Sequence, residues 1–236
     1  MNAFSPPSSA AVIGASGGIG AAILRQLNRS PDFDRVFAFA RREGPSTTSI
    51  DITDEDSIRR AVETIDVPLD LVVVATGVLY TDRFRPEKTM RQLDADTMLE
   101  VLSINTVGPV LVAKHFLPHL RKDRKSVFAA LSARVGSIGD NRLGGWLSYR
   151  SSKAALNMAL KTLAIEHRRT HPVSAVIGLH PGTVDTELSS PFQRGVPEGK
   201  LFTPDYSAEC LLDVIDQATP ADSGRVFAWD GAVVEP

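Results

Sequence analysis

Short apolar runs and longer stretches of helical spacing alternate from one end of the chain to the other. Residues 10–13 form an apolar run that ends in a cluster of glycines, and helical spacing follows over 19–28. Residues 35–40 (RVFAFA) read as a second strand. Helical spacing returns over 54–65, with Asp54 and Glu55 where the dipole of a first turn favours acids. Residues 69–75 (LDLVVVA) are a continuous β-branched run, the mark of a strand covered on both faces. A long helical stretch spans 96–120, and Gly108-Pro109 inside it predicts a kink. Ser126–Leu131 is the next strand, followed by a second long helix over 148–169, a buried strand over 173–179, a helix over 207–217 and a last strand over 224–229.

This alternation predicts an α/β fold, a Rossmann-type, doubly wound and mostly parallel sheet with helices on both faces. No repeat or linker divides residues 10–236, so they are expected to form a single domain. Residues 1–9 (MNAFSPPSS) read as a disordered lead-in, and they lack the basic and apolar regions of a secretory signal. A net charge of -2 creates no field for nucleic acid or anionic lipid. No run reaches the ~20 apolar residues that a membrane helix needs. The one cysteine, Cys210, rules out an internal disulfide, and its place in an apolar-periodic stretch reads as a packed core thiol. A cytoplasmic protein without membrane or nucleic-acid partners is expected.

The glycine cluster, Gly14-Ala15-Ser16-Gly17-Gly18-Ile19-Gly20, joins the first strand to the first helix. A dinucleotide pyrophosphate needs backbone N–H groups at a helix start and no Cβ in its path. Gly14 suits the tight turn, Gly18 the approach of phosphates and Gly20 close packing of helix on strand. An ordinary glycine-rich turn is the bland alternative, since the spacing is G-x-x-x-G-x-G rather than G-x-G-x-x-G. The end of the second strand, Phe39-Ala40-Arg41-Arg42, has no carboxylate for a ribose 2′-hydroxyl but two guanidiniums that can fork onto a 2′-phosphate. NADP(H) is therefore favoured over NAD(H), against the alternative of a solvated arginine pair.

Tyr149 and Lys153 stand four apart, on one face of the second long helix. A phenol titrates near pH 10, and an ammonium about 4 Å away contributes roughly 4 kcal/mol at an effective dielectric of 20, or about three pKa units. That would bring Tyr149 into the range useful for reversible proton transfer. A tyrosine and lysine at this spacing also occur as a surface pair. Glycine turn and Tyr/Lys pair, in this order and on these elements, point together to an oxidoreductase.

With these motifs the chain resembles the short-chain dehydrogenase/reductase family, of the compact type. Residues 132–156 and Phe227-Ala-Trp-Asp-Gly are similar to its C-factor-like and sniffer-like carbonyl reductase branch. The resemblance implies that Asp51 and Ile52 hold adenine, that Ala75-Thr76-Gly77 lines the cofactor, and that Asn105 orders a water in a proton relay. It implies further that Pro181, Gly182, Val184 and Thr186 clasp the nicotinamide end, with Ser16 and Ile19 in the glycine turn. Each has a plainer alternative: Asp51 as a helix cap, Asn105 as a polar residue at the kink, Pro181-Gly182 as a turn. The family's carbonyl-polarising serine falls on Ala133 without gaps. Ser132 lies one step earlier, and a bulge could realign it; Ser137 is the other hydroxyl in reach. Ser132 is the preferred candidate, beside Asn105, Tyr149 and Lys153. Residues 187–203 read as a substrate loop, with Leu143, Trp146, Leu188 and Phe192 as an apolar wall for a small-molecule carbonyl or alcohol. His180 reads as scaffold, and no residue cluster suggests a metal. Relatives pair their long helices, so a homodimer or homotetramer is expected. The competing function is a dinucleotide-binding signalling or regulatory protein with little turnover.

Overall fold

The apolar runs become strands whose side chains serve two cores in turn. In β1 (Ser8–Ile13), Ala10 and Val12 join the core on one side of the sheet, Ala11 and Ile13 the core on the other. The computed structural model describes residues 3–236. The other strands are β2 (Phe33–Ala40), β3 (Thr48–Ser49), β4 (Leu71–Val74), β5 (Ser126–Leu131), β6 (Ser174–His180), β7 (Thr183–Val184), β8 (Leu201–Phe202) and β9 (Val226–Ala228). Among the described residues, seven of them form one sheet in the order β3-β2-β1-β4-β5-β6-β9, every neighbouring pair parallel. Strands β7 and β8 pair separately.

Parallel neighbours need crossovers, and among the described residues six α-helices supply layers on both faces. They are α1 (Gly18–Arg29), α2 (Glu55–Val62), α3 (Ala95–Leu102), α4 (Gly108–Phe116), α5 (Leu147–His167) and α6 (Pro204–Gln217). Ile23 and Leu27 of α1 share one core with Leu211 and Ile215 of α6. Ile58 of α2, Phe116 of α4 and Leu156 and Leu160 of α5 fill the other. Each such side chain contributes roughly 1.5–3 kcal/mol by leaving water. This is the doubly wound order, in which the C-terminal strand ends flank a crevice at the switch point beside β1.

Four expectations need correction. The helix expected over 96–120 is broken by a π turn, Ser103–Val107, ahead of Gly108-Pro109 rather than at it. Its closing bond runs from Gly108 N–H to the Ser103 carbonyl, and Pro109 falls in the first turn of α4, where a missing N–H is tolerated. The composite helix over 95–119 also passes the length and hydropathy test for a membrane span, at a mean hydropathy of 1.2. Its Val112, Ala113 and Phe116 belong to the core, and Asn105 on it is fully buried among polar partners. The lead-in is ordered from Phe4, which is buried and packs on Phe33 at 5.4 Å between centroids, while β1 starts at Ser8. The part of that lead-in on residues 1–2 lies outside the described residues. Cys210 is half-buried rather than a core thiol.

Candidate active site

The glycine cluster forms a left-handed turn between β1 and α1. Gly14 has φ +88, and a Cβ there would stand 2.8 Å from the Ala75 carbonyl oxygen. The Gly14 and Ala15 amides both donate to the Phe39 carbonyl, which ties the turn to β2. A Cβ on Gly20 would overlap the Gly14 carbonyl oxygen, and one on Gly18 would stand 2.6 Å from Thr186 Cγ2. Gly18 is thus required by the approach of the Pro181–Thr186 segment as well as by any phosphate. Gly17, the residue capping α1, offers no side-chain acceptor, and the first turn holds no acid. Among the described residues no carbonyl or side chain accepts from the amides of Gly18, Ile19 and Gly20. Ser16 is exposed at the turn. Free amides, a dipole end and missing Cβ atoms fit a dinucleotide pyrophosphate. Two further polar atoms at these strand ends are buried without partners, Thr76 Oγ1 and His180 Nδ1.

Asn105 joins three elements. Its Oδ1 accepts from Val78 N–H at 2.8 Å, and its Nδ2 donates to the Val78 carbonyl at 2.8 Å and to Ser152 Oγ at 3.1 Å. It therefore clamps the chain just after Ala75-Thr76-Gly77. Lys153 is buried on α5, and its Nζ donates to the Leu131 carbonyl at 2.8 Å. A side chain on Gly77 would start 3.4 Å from Asn105 Oδ1 and 3.5 Å from Lys153 Nζ, so this exposed glycine leaves a gap at which amide and amine converge.

Lys153 Nζ lies 5.8 Å from the centroid of the Tyr149 ring, over its face. The expected lowering of the phenol is not what this geometry produces. Burial pushes the Tyr149 phenol up to about 12 and the Lys153 amine down to about 8. Loss of hydration is the cause in both cases, since burial disfavours the charged form of each group. At neutral pH this pair is a protonated phenol and a charged amine.

Both candidate serines have partners of their own. The β5–β6 ladder continues without a bulge through Ser132 N–H to the Leu179 carbonyl. Ser132 therefore keeps its own register, and its hydroxyl donates to Asn157 Oδ1 at 2.5 Å. Asn157 follows Tyr149 by eight residues, about 12 Å down the helix. The Ser137 hydroxyl accepts from Asp140 N–H at 3.0 Å and faces the Pro236 carbonyl at 3.5 Å. Ala133, the ungapped match to the family's serine, carries no hydroxyl. Burial, then the nearby Arg134, pushes the His180 imidazole down to about 4, so it is neutral at physiological pH.

At the adenine end, Arg41 and Arg42 are exposed beyond the tip of β2. The Asp51 carboxylate accepts from the Thr53 hydroxyl at 2.6 Å and the Thr53 N–H at 2.9 Å, which with Arg41 nearby holds it below the usual carboxylate range. It does not cap α2; Asp54 does, accepting from Asp56 N–H at 3.0 Å. Ile52 is buried against Gly108, where a Cβ would stand 2.8 Å from Ile52 Cδ1. At the other end Gly182 has φ +77, Val184 is buried, and the Pro181 carbonyl accepts from Ser207 Oγ at 2.9 Å.

The apolar wall is aromatic. Trp146 meets Phe192 at 5.2 Å and Tyr149 at 6.3 Å, and Tyr80 meets Phe192 at 5.8 Å. Leu188 is half-buried nearby in sequence, but Leu143 is 91% exposed and forms no part of a wall. Residues 187–203 are not a plain loop: they hold a 3-10 turn, Ser190–Gly195, and β8. Tyr80 anchors this segment through its hydroxyl, which donates to the Glu187 carbonyl at 2.6 Å.

Sequence reasoning passed over Glu87. It is 5% exposed, its carboxylate accepts from the Ser148 hydroxyl and from Ser148 N–H at 3.2 Å, and its carbonyl accepts from Trp146 N–H at 2.5 Å. Trp146 is left-handed, φ 52 and ψ 43, after left-handed Gly144 and Gly145. For a bulky residue that conformation costs about 1–2 kcal/mol. In the sequence Glu87 is one acid among the polar residues of a Pro-containing loop, and only the left-handed run before α5 hints that something must hold it.

Fold and site together define a dinucleotide-binding α/β protein with a tyrosine and lysine at the C-terminal strand ends. Residues 8–196 match the short chain dehydrogenase model, and the chain belongs to the short-chain dehydrogenase/reductase family of oxidoreductases. It is 33% identical over 240 residues to 1-hydroxy-2-glutathionyl-2-methyl-3-butene dehydrogenase of Rhodococcus sp. (strain AD45), covering 97% of this chain and 99% of that one. It is 37% identical over 142 residues to C-signal of Myxococcus xanthus, covering 60% of this chain and 80% of that one. Among solved structures it resembles an NADPH-bound carbonyl reductase from chicken fatty liver, with a TM-score of 0.84, 27% identity and coverage of 98% and 99%.

Proposed function

We propose that the protein is an NADP(H)-dependent carbonyl reductase, moving hydride between the nicotinamide and a carbonyl or alcohol with Tyr149 as its acid/base. The observation that carries this reading is the convergence of Asn105 Oδ1 and Lys153 Nζ at Gly77, with Lys153 one helical turn beyond Tyr149. When bound, the nicotinamide supplies or accepts the hydride. Tyr149, protonated at neutral pH, gives its proton to the carbonyl oxygen in reduction. Lys153 carries the charge that holds a ribose hydroxyl and favours a developing phenolate. Asn105 fixes Val78, the residue after Gly77.

Arg41 and Arg42, with no carboxylate at the tip of β2, support NADP(H) over NAD(H). The relative from chicken fatty liver was solved with NADPH. Trp146, Phe192 and Tyr80 favour a medium-sized apolar or aromatic substrate under the 187–203 segment. Leu99, Val107, Met158 and Ile165 are exposed along α3, the π turn and α5, and a homodimer or homotetramer would cover them. The free Cys210 suits the reducing cytoplasm.

A second reading has one observation in its favour. Ser132 can polarise a carbonyl only after breaking its bond to Asn157, and Ala133 has no hydroxyl. A dinucleotide-binding signalling or regulatory protein with little turnover, in the manner that the name C-signal suggests for its relative, has no need of that group. Turnover of aldehydes, ketones and quinones with NADPH and with NADH separates the two. The reductase reading expects NADPH oxidation, lost by about 10²–10⁴-fold in Tyr149→Phe while NADPH affinity stays native. A variant with near-native rate, or a wild-type protein that binds NADPH and reduces nothing, defeats it.

A further inference from the structure

We propose that Glu87 is a positioning residue for both the Tyr149 phenol and the Trp146 wall, holding the start of α5 from a separate loop. The proposal rests on the reading of Tyr149 as acid/base. Three bonds converge on this one residue: Ser148 O–H and Ser148 N–H to its carboxylate, and Trp146 N–H to its carbonyl. They fix residues 146 and 148, the two that frame the last step before Tyr149. Trp146 offers no side-chain cap of its own, and the first turn of α5 contains no acid. Glu87 therefore supplies from outside what α2, α3 and α6 receive from their own Asp54, Asp94 and Thr203.

The anchor also holds a strained shape in place. Gly144, Gly145 and Trp146 are left-handed in succession, a run that local sequence does not maintain unaided. With its N–H donating to the Glu87 carbonyl, Trp146 keeps its ring against Phe192 and Tyr149. Without it the indole loses the geometry that makes it a wall.

Steady-state kinetics of Glu87→Ala and Glu87→Gln test the role, with a bulky aromatic ketone and a small aliphatic aldehyde as substrates and NADPH affinity measured directly. Misplacing the acid/base group by an ångström costs up to about 100-fold, so Glu87→Ala should lower kcat about 10- to 100-fold with both substrates. KM should stay near native for both substrates, because the Trp146 N–H bond goes to the main-chain carbonyl of residue 87, which both variants keep. NADPH affinity should stay within about twofold, since neither the glycine turn on α1 nor Lys153, which is held by the Leu131 carbonyl, bonds to Glu87. Glu87→Gln retains size and one acceptor and should lie between wild type and alanine; if the alanine variant does not fold, glutamine carries the test by the same criteria. Native kcat in both variants overturns the proposal. So does a loss of kcat matched by an equal loss of NADPH affinity, which is general damage to the scaffold. Failure of the underlying reading is seen separately, as native turnover in Tyr149→Phe whatever Glu87 does.

Discussion

The N-terminal ends of α1 and α5 are built in opposite ways. The end of α1 has a glycine cap, no acid in its first turn, and amides that no group among the described residues accepts. The end of α5 is closed by a buried carboxylate brought in from residue 87 and walled by Trp146. Helices α2, α3 and α6 have ordinary side-chain caps at Asp54, Asp94 and Thr203. A glycine cap costs about a few tenths of a kcal/mol against Ser, Thr, Asp or Asn, so α1 gives up a little stability that its neighbours retain. The difference separates two tasks. On the proposed function, an end that receives phosphates keeps its donors free, and an end that aims one phenol fills its donors and fixes its first turn.

The most severe way to break the open end is to fill its floor. Gly20→Ala puts a methyl onto the Gly14 carbonyl oxygen and within 3.2 Å of Ala75 Cβ, and backbone on both sides leaves it no outlet. Overpacking of this kind costs about 1–3 kcal/mol or more, and the displaced turn should abolish NADPH binding. Gly195→Ala is the matched control, since a Cβ there meets nothing within 4 Å. Its stability should change by less than about 0.5 kcal/mol. Native NADPH affinity in Gly20→Ala, by fluorescence titration, would remove the glycine turn from the cofactor site.

How much of this was legible in the sequence follows from the range of the forces involved. Strand β5 was read to the residue and the sheet's parallel character was correctly expected, because burial on both faces leaves a continuous apolar run that local pattern records. Features that depend on distant partners were not readable. The π turn places Asn105 against Val78 and Ser152, which lie 27 and 47 positions away. Phe4, in a stretch of small and polar residues, is ordered by Phe33 and by Lys125, whose Nζ lies 5.3 Å from its ring centroid. Glu87 has the composition of a loop and the burial of a core residue. The register at Ser132 was visible as a one-step mismatch, but the ladder bond to Leu179 that rules out a bulge was not. The charge arithmetic at Tyr149 used a separation and omitted burial, which wins here.

The closed end is sharpened by pH. Burial holds Lys153 at about 8 and Tyr149 at about 12, so from neutral pH upward the amine loses its proton long before the phenol does. In reduction the phenol remains a competent donor throughout, and the rate should follow the charged fraction of Lys153. It should fall about tenfold between pH 7 and pH 9. Alcohol oxidation needs the phenol deprotonated before it can accept, so its rate should not share that descending limb in the same form. A reductive profile flat from pH 7 to pH 9 would show that the amine's charge does not matter to the step.

The mildest test converts the open end into a closed one. Gly17 has φ -78 and ψ 162, a conformation that any residue adopts, and a Cβ on it meets only the Gly14 carbonyl oxygen, at 3.4 Å. Gly17→Asp should therefore fit, accept from the free first-turn amides and complement the helix dipole. Relative to glycine such a cap gains a few tenths of a kcal/mol, and the added charge brings the total to about 1 kcal/mol at most. For a chain of this size that is a rise in Tm of roughly 1–3 °C. The same carboxylate would occupy the donors meant for phosphate and repel it, weakening NADPH binding about fivefold or more for each 1 kcal/mol of competition. Stability up and affinity down in one variant is the signature of an end kept open for a ligand. Stability up with affinity unchanged would mean that these amides are free for some other reason, and the contrast with α5 would lose its functional meaning.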